Sequence, residues 1–449
     1  MNDPLTLSVA DDELALLTDL YQLTMIQAYW KEGMHQTPAT FSLFFRQLPP
    51  SRRFILACGQ QHAAAALSRL HFNAGAIEKL ASTGRFEDDF LDWLANWRFS
   101  GDIWAVPEGT VLFPHQPLLE VDAPIAEAQL LESLIMNLVQ LETVLASKAA
   151  RIVWAAGDRP VVDFGMRRVH GIDAAVRGVR AYKTAGISGT SNVLGGLRHD
   201  LPLSGTMAHS YILAHDDEPS AFRAFARHYP DTTLLVDTYD TLQGVQHVID
   251  VLRDMPSLTV GAVRLDSGDL GALAKGARRL LDDAGHQSVG IVASSGLDEH
   301  SIAELIAQAA PIDAFGVGTL MGVSADAPVI DLSYKLVEYA GTPRAKHAPG
   351  KTSLPTRKQI FRRQDTQGRY LGDIIARRDE TGIEGEALLV PVVTGGVINT
   401  AAMADTQHAS ARVADALPRF PASVTALADG ESDYPVELSD ALAHLSSMV

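Results

Sequence analysis

Small groups of ionisable side chains recur along the middle of the chain: Asp163 with Arg167 and Arg168, His209 with Ser210, Asp237 with Asp240, and Arg264 with Asp266 and Asp269. Each group closes a short apolar run, the position at which a βα unit exposes the loops that carry chemistry. A single Arg–Asp pair is more often a structural ion pair than a catalytic one, but four groups converging on one barrel mouth point to a site. A second concentration is purely cationic. From Gly341 to Arg363 there is no Asp or Glu, while Arg344, Lys346, Lys351, Arg357, Lys358, Arg362 and Arg363 all fall inside. Such a loop on an acidic protein suggests a small polyanionic ligand, with a solvated basic loop as the alternative.

The elements that must position these residues follow a rhythm. Apolar runs at Pro160–Gly165, Gly186–Asn192, Leu203–Ser210, Thr233–Thr238, Val260–Ser267, Val289–Gly296 and Ile312–Gly318 alternate with stretches of helical period, such as Ile172–Ala185, Glu218–Tyr229, Leu242–Met255, Asp269–Ala284 and Asp298–Ala309. Strand and helix alternating at this spacing predict βα units and a parallel sheet. The polar residues sit at the C-terminal ends of the runs and no Gly-x-Gly-x-x-Gly follows the first, so an irregular α/β barrel is favoured over an open dinucleotide-binding sheet. Outside this stretch the pattern changes. Leu14–Trp30 and Ile125–Ala149 read as helices, Thr40–Phe45 as a strand, and Trp104–Phe113 and Gln359–Ala376 as hairpins. The expected architecture is a central barrel, residues 146–335, flanked by an α+β domain built from both chain ends, residues 1–145 and 336–449.

Composition narrows the class of function. The 449 residues are 47 % hydrophobic and 20 % charged, which excludes wholesale disorder. No apolar run approaches the ~18–20 residues of a membrane span, and Met1-Asn2-Asp3-Pro4 lacks the opening of a secretory signal. Thirty-seven basic against 54 acidic side chains give a formal charge of −17, which argues against a nucleic-acid partner. The one cysteine, Cys58, excludes a disulfide framework and a cysteine-based zinc site, fits a reducing cytoplasm, and reads as a packing residue.

A set of ordered motifs carries a resemblance. Thr18-Asp19-Leu20-Tyr21-Gln22-Leu23-Thr24-Met25, Phe44-Phe45-Arg46, Asp163-Phe164-Gly165-Met166-Arg167-Arg168, Gly189-Thr190-Ser191-Asn192 and Gly205-Thr206-Met207-Ala208-His209-Ser210 are followed by Val236-Asp237-Thr238-Tyr239-Asp240, Val263-Arg264-Leu265-Asp266-Ser267-Gly268-Asp269, Ser294-Ser295-Gly296-Leu297 and Phe315-Gly316-Val317-Gly318-Thr319. Over nearly its whole length the chain resembles the nicotinate phosphoribosyltransferases. The resemblance implies a type II phosphoribosyltransferase-like barrel and an ATP-assisted transfer of phosphoribosyl from phosphoribosyl pyrophosphate to nicotinate, giving nicotinate mononucleotide and pyrophosphate in NAD salvage.

The same resemblance implies roles. Arg46, Arg344 and Lys346 would reach the pyrophosphate, and Ser295, Gly296, Gly316, Gly318 and Thr319 would hold the 5′-phosphate through backbone N–H groups. Asp237 and Asp266 would lie by the ribose and a Mg²⁺ ion. Phe164 and Tyr21 would stack on the nicotinate ring, Arg167 and Arg264 would meet its carboxylate, and Ser191 would sit beside that carboxylate. Ser191 separates the family from nicotinamide phosphoribosyltransferases, whose relatives carry Asp there to accept from the amide. Quinolinate phosphoribosyltransferases are shorter and lack the N-terminal signature, while retention of His209, Asp237, Arg264 and Asp266 counts against a non-catalytic phosphate-binding barrel. His209 would be phosphorylated transiently by ATP, a step suited to an imidazole with a pKa near ~6.5. Tyr21 would come from the partner subunit of a homodimer with shared sites. The basic loop departs from the family, with Pro355-Thr356 where relatives often show Pro-Gly and with His347-Ala348-Pro349-Gly350-Lys351 replacing a Ser-Glu-Gly-Lys-like stretch.

Overall fold

Short β-branched runs in the middle of the chain pack side by side as a six-stranded parallel sheet. Its spatial order is Gly189–Thr190, Val161–Asp163, Ala314–Val317, Gly290–Ala293, Val260–Leu265, Thr232–Leu235. The protein is described by a computed structural model covering residues 9–348, 350–402, 406–430 and 432–449; the Met1–Pro4 opening and Pro349 of the basic loop lie outside the described residues. The chain divides into two compact units, Lys148–Asp326 and Met1–Ser147 with Ala327–Val449.

The Lys148–Asp326 unit carries the parallel sheet. Helices Ile172–Thr184, Thr241–Asp254, Leu270–Asp283 and Glu299–Ala307 return the chain from strand to strand. Among the described residues no ladder joins the two edge strands, so the barrel is an open, curled half. One expected strand is missing from it. Leu203–Ser210 forms no ladder with the sheet: Leu203 makes an isolated bridge to Thr190, the Thr206 hydroxyl donates to the Thr233 carbonyl, and His209 opens a short helix, His209–Leu213, instead of ending a strand. After Leu203 the Ser204-Gly205-Thr206 stretch has no apolar side chains to bury against a sheet face. Two of the expected chemical residues are structural. Asp240 accepts from the backbone N–H of Gln243 at 2.8 Å, and Asp269 from that of Ala272 at 3.0 Å, so both are helix N-caps.

The other unit is built from both ends of the chain. Its antiparallel seven-stranded sheet places Pro38–Phe45 between Leu332–Tyr339 and Pro117–Pro124, and every residue of that strand except Pro38 is buried. Leu43, Phe45, Leu118, Val121, Ile135 and Val139 belong to its core. A second sheet contains the expected hairpin, Lys358–Gln364 with Tyr370–Arg377. Two expectations fail here. Leu14–Trp30 is a 3₁₀ turn, Asp11–Leu16, and a separate helix, Leu20–Lys31. The apolar period runs across the break, but Asp19 is extended and its carboxylate accepts from Ser133 Oγ at 2.6 Å. Trp104–Phe113 is not a hairpin either. Asp102–Ala105 pairs with Pro117–Pro124, whereas Val111–Leu112 pairs with Ile55–Leu56. The intervening turn is packed elsewhere, since a Cβ on Gly109 (φ +84°) would lie 2.5 Å from the carbonyl oxygen of Ala409.

Cys58 is fully buried, with its thiol 3.9 Å from Glu142 Oε2. The thiol and carboxylate oxygens of Glu108 and Glu142 lie within 4.8 Å of one another, a spacing that could hold a metal ion. A single cysteine therefore excludes only thiolate-rich metal sites. Glu108 Oε1 is engaged by the N–H groups of Gly59 and Gln61 at 2.9 and 3.0 Å. Among the described residues no helix is long and apolar enough to cross a membrane.

Candidate active site

In the Lys148–Asp326 unit a cleft of about 500 Å³ is lined by Phe164, Arg167, Ser191, His209, Arg264 and Asp266, along with the Leu203–Ala208 segment. Asp163 ties together the backbone beside the lining residues Phe164, Thr190 and Ser191. This buried carboxylate takes the Thr190 hydroxyl at 2.7 Å and the Gly165 N–H at 2.8 Å, and its backbone carbonyl takes the Ser191 N–H at 2.8 Å. Burial raises its pKa, against the pull of those hydrogen bonds. Arg167 and Arg168, expected beside Asp163 as a cluster, are exposed, and among the described residues neither has an ion pair with it. Asn192 caps the following helix through Gly195 N–H at 3.0 Å, which removes the capping explanation for Ser191.

Near the end of the Val260–Leu265 strand, Arg264 is clasped from several sides. Its Nη2 donates to Asp266 Oδ1 at 2.7 Å, its Nε donates to Ser294 Oγ at 2.8 Å, and its guanidinium carbon lies 5.0 Å from the centre of the Phe164 ring. The Asp266 N–H and the Ser267 hydroxyl both donate to Asp237 Oδ2, at 3.1 and 2.6 Å. Asp237 Oδ1 is buried and has no hydrogen-bond partner among the described residues. An anionic oxygen in that state fits a hard cation such as Mg²⁺. His209 Nδ1 lies 3.1 Å from Thr238 Oγ1.

The loops proposed from the resemblance to hold phosphate have unusual backbones. Ser295 and Gly296 both have positive φ, +86° and +61°. Gly316 is required for a different reason: a Cβ there would fall 2.4 Å from Phe164 Cε2 and 3.2 Å from Ser294 Cβ. Its absence lets the aromatic ring and the serine close together. A Cβ on Gly318 would press on the Phe164 carbonyl at 3.3 Å, and Thr319 opens the helical turn Thr319–Gly322.

The cations of the other unit separate into two kinds. Lys358 is buried against Glu120 at 2.9 Å, Arg362 against Asp373 at 2.7 Å, and Arg357 and Arg363 pair with Glu338 and Glu437 at 3.4 and 3.2 Å. Burial opposes the Glu120 charge, yet Lys358 and Arg378 hold its pKa below the usual value. Four of the seven basic residues thus serve the fold. Arg344, Lys346 and Lys351 are exposed, and among the described residues none has an ion-pair partner. Arg46 lines a cleft of about 1100 Å³ with Thr352 and Ser353 of the basic loop, donating to the Thr352 carbonyl at 3.3 Å. Lys335 lies outside the window that drew attention in the sequence. Burial lowers its pKa, and Arg46 and Lys346 lower it further while Glu132 opposes them. It joins their cationic group, and its only signal was a lysine within an apolar strand. Thr356 keeps a left-handed backbone (φ +59°) where relatives often carry glycine, tethered by its hydroxyl to Glu338 Oε2 at 2.6 Å. Tyr21 is 48 % exposed, so it is not a core residue of its own helix.

Residues 16–140 match the nicotinate phosphoribosyltransferase (NAPRTase) N-terminal domain and residues 160–362 match the nicotinate phosphoribosyltransferase (NAPRTase) family. The chain is 49 % identical over 429 residues to nicotinate phosphoribosyltransferase pncB2 of Mycobacterium tuberculosis, covering 95 % of this chain and 92 % of that one. It is 40 % identical over 379 residues to the nicotinate phosphoribosyltransferase of Bacillus subtilis, covering 82 % and 77 %. The crystal structure of human nicotinic acid phosphoribosyltransferase superposes with a TM-score of 0.84 at 26 % identity, over 96 % of this chain and 99 % of that one. With both parts of the chain matched and a relative 49 % identical over 95 % of it, the chain belongs to the nicotinate phosphoribosyltransferase family.

Proposed function

We propose that the protein transfers the phosphoribosyl group of phosphoribosyl pyrophosphate to nicotinate in NAD salvage, coupled to ATP through a phosphohistidine at His209. The observation that carries the acceptor is the meeting of Phe164, Ser191 and Arg264 in one cleft: an aromatic face, a small uncharged neighbour and a guanidinium suit a flat ring bearing one carboxylate. Arg167 adds a second cation there. The pyridine nitrogen attacks the anomeric carbon, the bond to the pyrophosphate oxygen breaks, and its electron pair leaves with pyrophosphate. Arg46, Lys346 and Arg344, with Lys335, take up leaving charge, while Asp266 and Asp237 hold ribose hydroxyls. Backbone N–H groups of Ser295, Gly296, Gly316, Gly318 and Thr319 receive the 5′-phosphate. Asp237, through its unpartnered Oδ1, and Asp266 would hold Mg²⁺, which when bound neutralises part of the pyrophosphate charge.

In the coupling step a ring nitrogen of His209 attacks the γ-phosphorus of ATP, and the bond to the bridging oxygen breaks with its electron pair going to ADP; water then attacks that phosphorus, the N–P bond breaks with its electron pair returning to the imidazole, and phosphate leaves. Incubation with nicotinate, phosphoribosyl pyrophosphate and ATP should yield nicotinate mononucleotide and ADP. His209→Ala should lose the ATPase and retain some ATP-independent transfer; ATP stimulation unchanged in that variant would reject the phosphohistidine. A homodimer with shared sites is the reading that gives exposed Tyr21 a nicotinate to stack on. Mixing inactive Tyr21→Ala and Arg264→Ala proteins under subunit exchange should restore activity. Verified exchange without recovery would reject sharing. A single buried thiol suits the reducing cytoplasm in which such a salvage enzyme would work.

A further inference from the structure

Ser294 directly follows the Gly290–Ala293 strand, is 2 % exposed, and continues the sheet through its N–H to the Leu265 carbonyl at 2.9 Å. Its hydroxyl accepts from Arg264 Nε and donates to Asp266 Oδ1, the same oxygen that receives Arg264 Nη2 at 2.7 Å. The three side chains therefore close a hydrogen-bonded ring. A hydroxyl has one proton to donate, so its acceptance of Arg264 and donation to the ionised Asp266 use it in both senses. The ring occupies the Nε and Nη2 edge of Arg264, while the centre of the Phe164 ring lies 5.0 Å from the guanidinium carbon. Nη1 is left as the nitrogen pointing away from the clasp. Gly316 makes the arrangement possible, because any Cβ there would collide with the Phe164 ring and crowd Ser294.

We propose that Ser294 is a positioning residue that selects which edge of Arg264 meets the acceptor, and so favours a carboxylate acceptor over a neutral one. The inference rests on the nicotinate reading of this cleft. Without the hydroxyl, Arg264 Nε would lose its acceptor in a partly buried setting, and the guanidinium would turn to satisfy it. The turned group would present Nε and Nη2 differently and loosen its contact with Asp266. Acceptor recognition and the carboxylate proposed for the ribose would then be disturbed together. A neutral acceptor, which gains little from a guanidinium, would be less affected.

The experiment compares the parent with Ser294→Ala, Arg264→Lys and the double variant. It measures kcat and KM for nicotinate, kcat/KM for nicotinamide, and thermal melting. Turnover of nicotinate by the parent tests the acceptor reading by itself; if the parent fails to use nicotinate, that reading falls and takes this inference with it. With an active parent, Ser294→Ala should lower kcat/KM for nicotinate about tenfold, mainly through KM, and shrink the nicotinate-to-nicotinamide preference by a similar factor. In the Arg264→Lys background, which has no Nε, removal of the hydroxyl should have little further effect. Equal losses for both acceptors, or the same additional loss in the lysine background, would overturn the assignment. Ser294→Cys keeps the volume with a weak donor; it should resemble the alanine variant, and parent-like kinetics would also overturn it.

Discussion

Two Arg–Asp pairs, one in each unit, look alike in sequence and differ in what surrounds them. Arg362 and Asp373 form a two-pronged pair at 2.9 and 2.7 Å, and Asp373 also receives Gln116 Nε2 and Tyr434 Oη at 2.7 Å each. Both oxygens of Asp373 thus hold two donors, and the guanidinium lies near the Tyr370 and Phe420 rings at 5.2 and 5.0 Å. Burial opposes the Arg362 charge, but Asp373 outweighs it and raises the arginine pKa, while burial and Asp373 together push the Tyr434 phenol up. Arg264 and Asp266 form the other pair, with side chains 13 % and 28 % exposed, against 4 % and 0 % for Arg362 and Asp373. Here the neighbouring Asp237 keeps one oxygen buried and without a donor. The lesson is that pairing does not mark function; incomplete satisfaction beside a cleft does.

Truncating each arginine should separate the pairs most sharply. Arg264→Ala should lower kcat/KM for nicotinate by about a hundredfold or more, the range expected when a charge partner is removed from a desolvated site. Its unfolding midpoint should shift little. Arg362→Ala strands a buried carboxylate and should reduce stability by about 3–5 kcal/mol in denaturant unfolding, with near-parent activity in the folded fraction. The distinction collapses if Arg264→Ala unfolds the protein as readily, or if folded Arg362→Ala is inactive.

How far the sequence alone reaches follows from the same contrast. The parallel sheet, its helices and the Lys358–Arg377 hairpin were legible because apolar period and turn residues are local signals. The Leu14–Trp30 break and the Trp104–Phe113 misreading were not, because Ser133, Ile55 and Ala409 decide them from far along the chain. Residue type and motif order pointed to Phe164, Ser191, His209, Arg264 and Asp266, which do line one cleft. The engagement of Lys358 and Arg362 by Glu120 and Asp373 could not be read from a window lacking acids, since both partners lie outside it. Ser294 was named in a motif but given no role, and Lys335 was passed over, for a related reason: a serine and a strand lysine acquire meaning only from the charges brought beside them.

A smaller effect is expected from altering charge at the cleft without removing a clasp. Ser191→Asp would place a carboxylate among Phe164, Arg167 and Arg264. Like charges ~4 Å apart at an effective dielectric near 20 repel by about 4 kcal/mol, an upper bound that relaxation and the nearby arginines reduce. The expected loss in kcat/KM for nicotinate is roughly ten- to a hundredfold, with nicotinamide use unchanged or improved. Equal kcat/KM for nicotinate in parent and variant would mean that Ser191 does not border the acceptor carboxylate.

The smallest effect is expected where a polar residue beside the cleft is only a cap. Asp269 stands three residues after Asp266, yet its carboxylate holds the Ala272 N–H at the start of helix Leu270–Asp283. Asp269→Ala should therefore cost about 1 kcal/mol of stability, and Asp269→Asn, which retains a cap acceptor, should recover most of it. Because the side chain faces its own helix terminus, kcat/KM for nicotinate should change less than for Ser191→Asp in either variant. Urea unfolding and steady-state kinetics on the two proteins separate the outcomes. If Asp269→Asn is as stable as the parent but loses activity as Arg264→Ala does, Asp269 belongs with the incompletely satisfied carboxylates of the cleft, and its cap contact would not account for its place in the motif.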